Sequence, residues 1–187
     1  MTVANNQHSV LLENVFGLIS KKVDKSQANH AEQFSRILFK NISKEDLEDR
    51  NDSDLYGASL SLWNEFVKYD AAKPSIRVFN PEIAKHGWQS SHTIVEIITP
   101  DMPFLVDSVR ICLNRLGITA HLLLHSPITL KRNSDKTLDA FVEATSKAKN
   151  VTKETVFLIE VDRQTSKKAL DELADELLSV VGEVSLA

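Results

Sequence analysis

The chain has 187 residues, 42% of them hydrophobic and 26% charged, the balance of an ordinary soluble globular domain long enough to bury a core. Its formal net charge of -4 gives no broad positive field for nucleic acid or an anionic membrane surface, and no apolar run reaches membrane-spanning length. The lone cysteine, Cys112, excludes an internal disulfide; with polar Asn5, Asn6, Gln7 and His8 where a signal peptide needs an apolar run, a cytoplasmic chain is expected.

The first 73 residues read as a helical segment. Leu11, Leu12, Val15, Phe16, Ile19 and Val23 recur at helical spacing, with Ser9 as a cap for a helix over residues 9–23. Ala31, Phe34, Ile37, Leu38 and Phe39 make the apolar side of a second helix over 26–42. Ser43 and Asp46 have the layout of a variant capping box, so a short helix should follow to about residue 49, and the run 50–54 reads as a turn. A longer helix to about residue 70 carries Leu55, Ser59, Leu62, Trp63 and Phe66 as its stripe.

Pro74 ends the helical half, and residues 74–187 change character. Ile76, Val78 and Phe79 suggest a short strand, and residues 82–88 one helical turn. Residues 93–99 are a β-branched run that predicts a strand ending at Pro100, after which Asp101 is placed to cap a helix with Pro103 in its first turn. Leu105, Val109, Cys112 and Leu116 share one face of that helix, and Gly117 stops it. From Ile118 the period becomes two: Ile118, Ala120, Leu122 and Leu124 point one way, Thr119, His121, Leu123 and His125 the other, until Pro127 demotes the strand to an edge or a bulge. A polar loop over 133–153 holds a short helical piece near 141–147. A strand over 155–162 and a helix over 166–181 follow, and Gly182, Glu183 and Val184 begin something extended.

The order strand, helix, strand, strand, helix is that of a split βαβ unit of the ferredoxin-like kind, an α+β fold whose last strand is expected to be truncated. The run DMPFLVDSV (residues 101–109), the helix and Gly117 after it, and the strand closing in His125, Ser126 and Pro127 resemble the amino-terminal, ACT-like region of the large bacterial NAD-specific glutamate dehydrogenases; so do the upstream IRVFNPE (76–82), Gly87 and Trp88. The resemblance implies a regulatory or assembly domain whose parent oxidises L-glutamate to 2-oxoglutarate and ammonia with NAD. It also implies partners in the remaining domains of the same polypeptide, a homo-oligomer, and an amino-acid effector.

The five glycines are never close enough for a G-x-G-x-x-G phosphate loop, and no P-loop, nucleophile elbow or paired-cysteine metal motif is present. No catalytic residue and no cofactor site is therefore expected in this chain, with NAD bound elsewhere in the parent. ACT domains bind amino acids where the first strand turns into the first helix, which the resemblance maps onto Asp101, Met102, Pro103 and Phe104, with Asp107 and Ser108 one turn on. Helix amino-terminal N–H groups suit a carboxylate. Two features weigh against a pocket: Asp101 is the natural cap, and Phe104 stands where many ligand-binding ACT domains keep glycine, which favours a closed, structural turn.

Asp107, Arg110 and Asn114 share a polar helix face on which Asp107 and Arg110 can pair. His121 and His125, four residues apart on a strand, lie roughly 13 Å from one another and cannot readily chelate one ion, so no metal is expected. With Glu96, Leu123 and Glu160 they are expected on one half-charged sheet face suited to a packing or subunit interface. An independent amino-acid-binding module and a purely structural domain remain the alternatives.

Overall fold

The computed structural model describes residues 3–48, 50–71, 73–146 and 148–184. Among these, four helices come first: α1 (Val3–Lys22), α2 (Ala28–Leu38), α3 (Lys44–Leu47) and α4 (Asp52–Phe66). Then follow β1 (Ser75–Phe79), α5 (Ile83–His86), β2 (Thr93–Pro100), α6 (Leu105–Arg115), β3 (Ala120–Arg132), β4 (Leu138–Phe141), β5 (Val151–Val161) and α7 (Lys167–Val184). No helix among the described residues is long and apolar enough to cross a membrane.

The strands form one antiparallel sheet in the order β1-β2-β5-β3-β4. The arrangement is α+β and consistent with an ACT-like domain, with β2, β3 and β5 as its first three strands. The edge beside β2 is filled by β1, which precedes the unit in the chain and pairs with β2 from Ser75↔Ile98 to Phe79↔Ile94. Residues 182–184, expected to be extended, continue α7.

Each sheet face has its own helices. Alternation puts Ile94, Ile98, Leu122, Leu124, Ile128, Leu130, Val156 and Leu158 on one face, where they share a core with α1, α2 and α4. Phe34, Leu62, Trp63 and Phe66 are fully buried there, each stabilising by about 1.5–3 kcal/mol through lost water contact. The other face, built on Val95, Ile97, Phe157, Ile159 and Val161, is covered by Leu105, Val109, Cys112 and Leu113 of α6 and by Leu173, Leu177 and Val181 of α7. Leu113 takes the buried place expected for Leu116, which is more than a third exposed.

Several local expectations hold. Ser43 accepts from the Asp46 amide at 3.0 Å, and Gly117 takes the left-handed conformation just after α6. Others are corrected. Ser9 lies inside α1 rather than capping it, and Asn51, within the expected turn, caps α4 by accepting from the Asp54 amide at 2.8 Å. The loop 133–153 contains β4 instead of a helical piece: Asn133 and Thr137 close a turn in which Lys136 has φ 71°, and β4 returns along β3. Residue 49, the expected end of the third helix, lies outside the described residues. Pro127 is tolerated because only β5 flanks β3 there, β4 pairing first at Leu130.

Candidate functional site

The β2–α6 turn is arranged differently from the capping expectation. The residue preceding α6 is Phe104, at φ 65° and with no side-chain cap, while Asp101 turns back to the sheet and accepts a hydrogen bond from Thr155 Oγ1 at 2.5 Å. The Asp101 amide donates to the Lys153 carbonyl at 2.9 Å, so the turn is fastened to β5 from both sides of that residue. Pro103 contributes to the shift, since it supplies no N–H at the second position that a cap at Asp101 would satisfy. Met102 packs on the α6–α7 core, Phe104 is 72% exposed, and Pro103 and Asp107 are exposed with Ser108 half-buried. Neither Asp107 nor Arg110 makes an ion pair among the described residues, so the expected pair between them is absent.

The five residues expected on a single interface face are divided. Glu96 and Glu160 lie under the amino-terminal helices, whereas Leu123 and His125 lie on the α6–α7 face. The β3–β5 register explains the division: Leu123 and His125 pair with Ile159 and Phe157, one residue out of phase with Glu160, and a further shift between Ala120 and Leu122 leaves His121 in a bulge, out of step with Leu123 and His125. His125 rests on the Phe157 ring, 4.8 Å between centroids, and burial lowers its pKa against the pull of Asp101.

The bulge delivers His121 to a polar cleft of about 340 Å³ between the α3–α4 corner, the loop before β2 and the end of β5. Arg50 reaches across it and donates to both Glu160 oxygens, at 2.6 and 2.8 Å, and its Nε is held by the Asp46 carbonyl. His92 Nδ1 lies 3.3 Å from Glu160 Oε2, and the His92 ring stacks on His121 at 4.3 Å between centroids. His121 Nε2 meets Asp162 Oδ1 at 2.7 Å, and Asp162 Oδ2 accepts the Thr119 amide at 2.8 Å. That amide, then His121, pull the Asp162 carboxyl down to about 2. Each imidazole thus has one nitrogen held by a carboxylate. Glu45, Asp46, Glu48 and Asp54 form an acidic rim. The described residues include no group of three or more His, Cys, Asp and Glu side chains placed to hold a metal ion.

A second buried carboxylate lies at the β1 side. Glu96 is 2% exposed; Arg77 meets its Oε2 at 3.0 Å and Glu65 at 3.3 Å, while Glu96 Oε1 has no hydrogen-bond partner. Burial, against the pull of Arg77, raises its carboxyl to about 7.

Residues 34–177 match the family model described as glutamate dehydrogenase, ACT1 domain. The chain belongs to that family. The matched stretch runs from α2 into α7, so the ACT1 domain takes in amino-terminal helices as well as the sheet they cover. The chain is 36% identical over 177 residues to the NAD-specific glutamate dehydrogenase of Halomonas elongata, covering 95% of this chain and 11% of that enzyme. To the NAD-specific glutamate dehydrogenase of Pseudomonas aeruginosa it is 42% identical over 151 residues, 81% of this chain and 9% of the relative. The chain therefore spans about a tenth of these relatives' length. No solved structure matches.

Within the ACT1 domain, sequence reasoning singled out His121 and Glu160 but not Arg50, His92 or Asp162. Arg50 is separated from Glu160 by 110 residues, and no periodicity connects a turn arginine to a strand glutamate. A usable signal was the glutamate itself: Glu160 breaks an apolar strand between Ile159 and Val161, and a charge in such a place needs a partner from another element.

Proposed function

We propose that this ACT1 domain is a non-catalytic regulatory and assembly domain of a NAD-specific glutamate dehydrogenase, whose glutamate and nicotinamide sites lie in other parts of the polypeptide. The observation that carries this reading is the uneven coverage: 95% of the chain aligns with 11% of a NAD-specific glutamate dehydrogenase. The sequence supports it, having no glycine-rich phosphate loop among its five glycines. So does the geometry, since the ionisable side chains of the cleft are engaged with one another rather than with an activated serine or cysteine; Cys112 is buried in the core with its thiol pushed up by burial.

An amino-acid effector has two candidate seats. One is the β2–α6 turn at Asp101, Met102, Pro103, Phe104, Asp107 and Ser108. The other is the cleft, and its shape favours it: Arg50 can exchange Glu160 for a ligand carboxylate, and the acidic rim can accept an α-ammonium. Binding there pulls on the corner between α3 and α4, giving occupancy a mechanical readout through the helical layer. Thermal denaturation of the chain against the amino acids, 2-oxoglutarate and NAD tests this. A ligand at one hundred times its Kd stabilises by about 2.7 kcal/mol. A shift with an amino acid, abolished by Arg50→Ala, supports the effector role. Reduction of NAD by the isolated chain in the presence of glutamate overturns the non-catalytic reading.

A further inference from the structure

The outer side of α6 carries an exposed apolar residue. Ile111, 66% exposed, stands there on one stripe with Asp107 and Arg115, one turn to either side, and Phe104, 72% exposed, precedes the helix. The inner side is fully used, with Leu105, Val109, Cys112 and Leu113 buried under it. Asp107 has no ion pair among the described residues, and the only one made by Arg115 is with Glu176 on α7, at 2.6 Å on the surface. Phe104 also holds the left-handed conformation, which a bulky side chain rarely adopts, so the chain keeps an aromatic on the surface at a position glycine suits better.

The stripe is complementary to itself. When two copies of α6 cross antiparallel with Ile111 on the two-fold axis, each residue faces the one equally far on the other side of Ile111. Asp107 then faces Arg115, four residues to either side, and the relationship repeats across the axis. The result is an apolar centre closed at both ends by opposite charges, the layout of an isologous contact.

We propose that the outer face of α6 is a two-fold docking surface for a second copy of this chain, with Ile111 at its centre and reciprocal Asp107–Arg115 pairs at its ends. This deepens the assembly role proposed above and rests on it. The contact's outer pairs are between surface charges, so the dimer is salt-sensitive.

Sedimentation velocity of the 187-residue chain over a wide concentration range tests it. The expected result is a monomer–dimer equilibrium that Ile111→Asp weakens by at least about tenfold in Kd, the loss of one central anchor, with a melting temperature unchanged at dilutions where the parent chain is monomeric, because Ile111 is 66% exposed within the chain. Asp107→Arg and Arg115→Asp each weaken the dimer, and the double exchange Asp107→Arg/Arg115→Asp restores it. The rescue keeps the test informative should the aspartate at position 111 disturb folding. A chain that stays monomeric throughout, or a dimer indifferent to all of these changes, overturns the proposal. Either failure leaves the non-catalytic reading standing, because that is judged by NAD reduction and not by sedimentation.

Discussion

Gly57 and Trp88 meet so closely that only a glycine fits: a Cβ on Gly57 would stand 2.3 Å from Trp88 Cγ and 2.4 Å from its Cβ. The pair joins α4 to the loop that leads into β2, and Trp88 is 4% exposed in the larger core. Replacing a helical glycine with alanine ordinarily stabilises by up to about 1 kcal/mol. Here the contact is with the root of the indole, which cannot swing aside, so overpacking reverses the sign. Gly57→Ala is expected to destabilise by about 1–3 kcal/mol, read as a lower midpoint in urea. A midpoint at or above that of the parent chain contradicts the close packing.

Glu96 makes stability depend on pH in the opposite sense to an ordinary surface carboxylate. Its folded-state pKa of about 7 lies above the ordinary glutamate value of 4.5, so between the two the folded chain holds a proton that the unfolded chain has released. The contribution is fully present below 4.5, declines as pH rises through the interval to about 7, and is flat above it. The total swing is on the order of 3 kcal/mol. Glu96→Gln, which imitates the protonated form, is expected to flatten the decline between pH 5 and 7 in urea titrations at stepped pH, at roughly the two ends of that interval.

Arg132 and Glu154 form a buried ion pair, at 5% and 1% side-chain exposure, with nitrogens at 2.7 and 2.8 Å from the carboxylate. Arg132 also donates to the Phe66 and Lys136 carbonyls and lies over the Phe66 ring, tying α4 to the β3–β4 turn. Arg132→Ala leaves a carboxylate buried without a partner and is expected to destabilise by about 3–5 kcal/mol. Replacing both residues with methionine should be the milder change, and a double-mutant cycle by denaturation checks the order.

Phe104→Gly should stabilise the monomer. The left-handed conformation costs a non-glycine residue about 1–2 kcal/mol, and the exposed ring returns little of this within the chain. A rise in melting temperature at low protein concentration is the expected outcome. A fall shows that the ring packs on the chain after all.

The elements that periodicity announces were legible in the sequence. The stripe Leu55, Ser59, Leu62, Trp63 and Phe66 is buried as spaced, and β5 and the part of β3 beyond Leu122 each alternate as counted. The register that sets Leu123 and His125 opposite Ile159 and Phe157, and so away from Glu160, was not legible. Ser59 illustrates the limit: its place in the stripe was legible, its buried 2.5 Å hydrogen bond with Ser35 on α2 was not. Long-range geometry was hidden for physical reasons. Whether β1 or a later strand fills the edge beside β2 depends on tertiary competition for the same hydrogen bonds, which no local pattern records. The bulge at His121 shifts one residue out of the alternation, and a period-two count passes over it. The cap was misplaced because the preference of Asp101 for capping was outcompeted by Thr155, a partner 54 residues away.

The central claim, a non-catalytic assembly and regulatory role, is tested most directly by removing this domain from a full-length NAD-specific glutamate dehydrogenase that contains it, then following turnover and sedimentation together. The account predicts that turnover at saturating glutamate and NAD survives while the enzyme separates into smaller oligomers. Loss of turnover from an enzyme whose assembly is intact would contradict it.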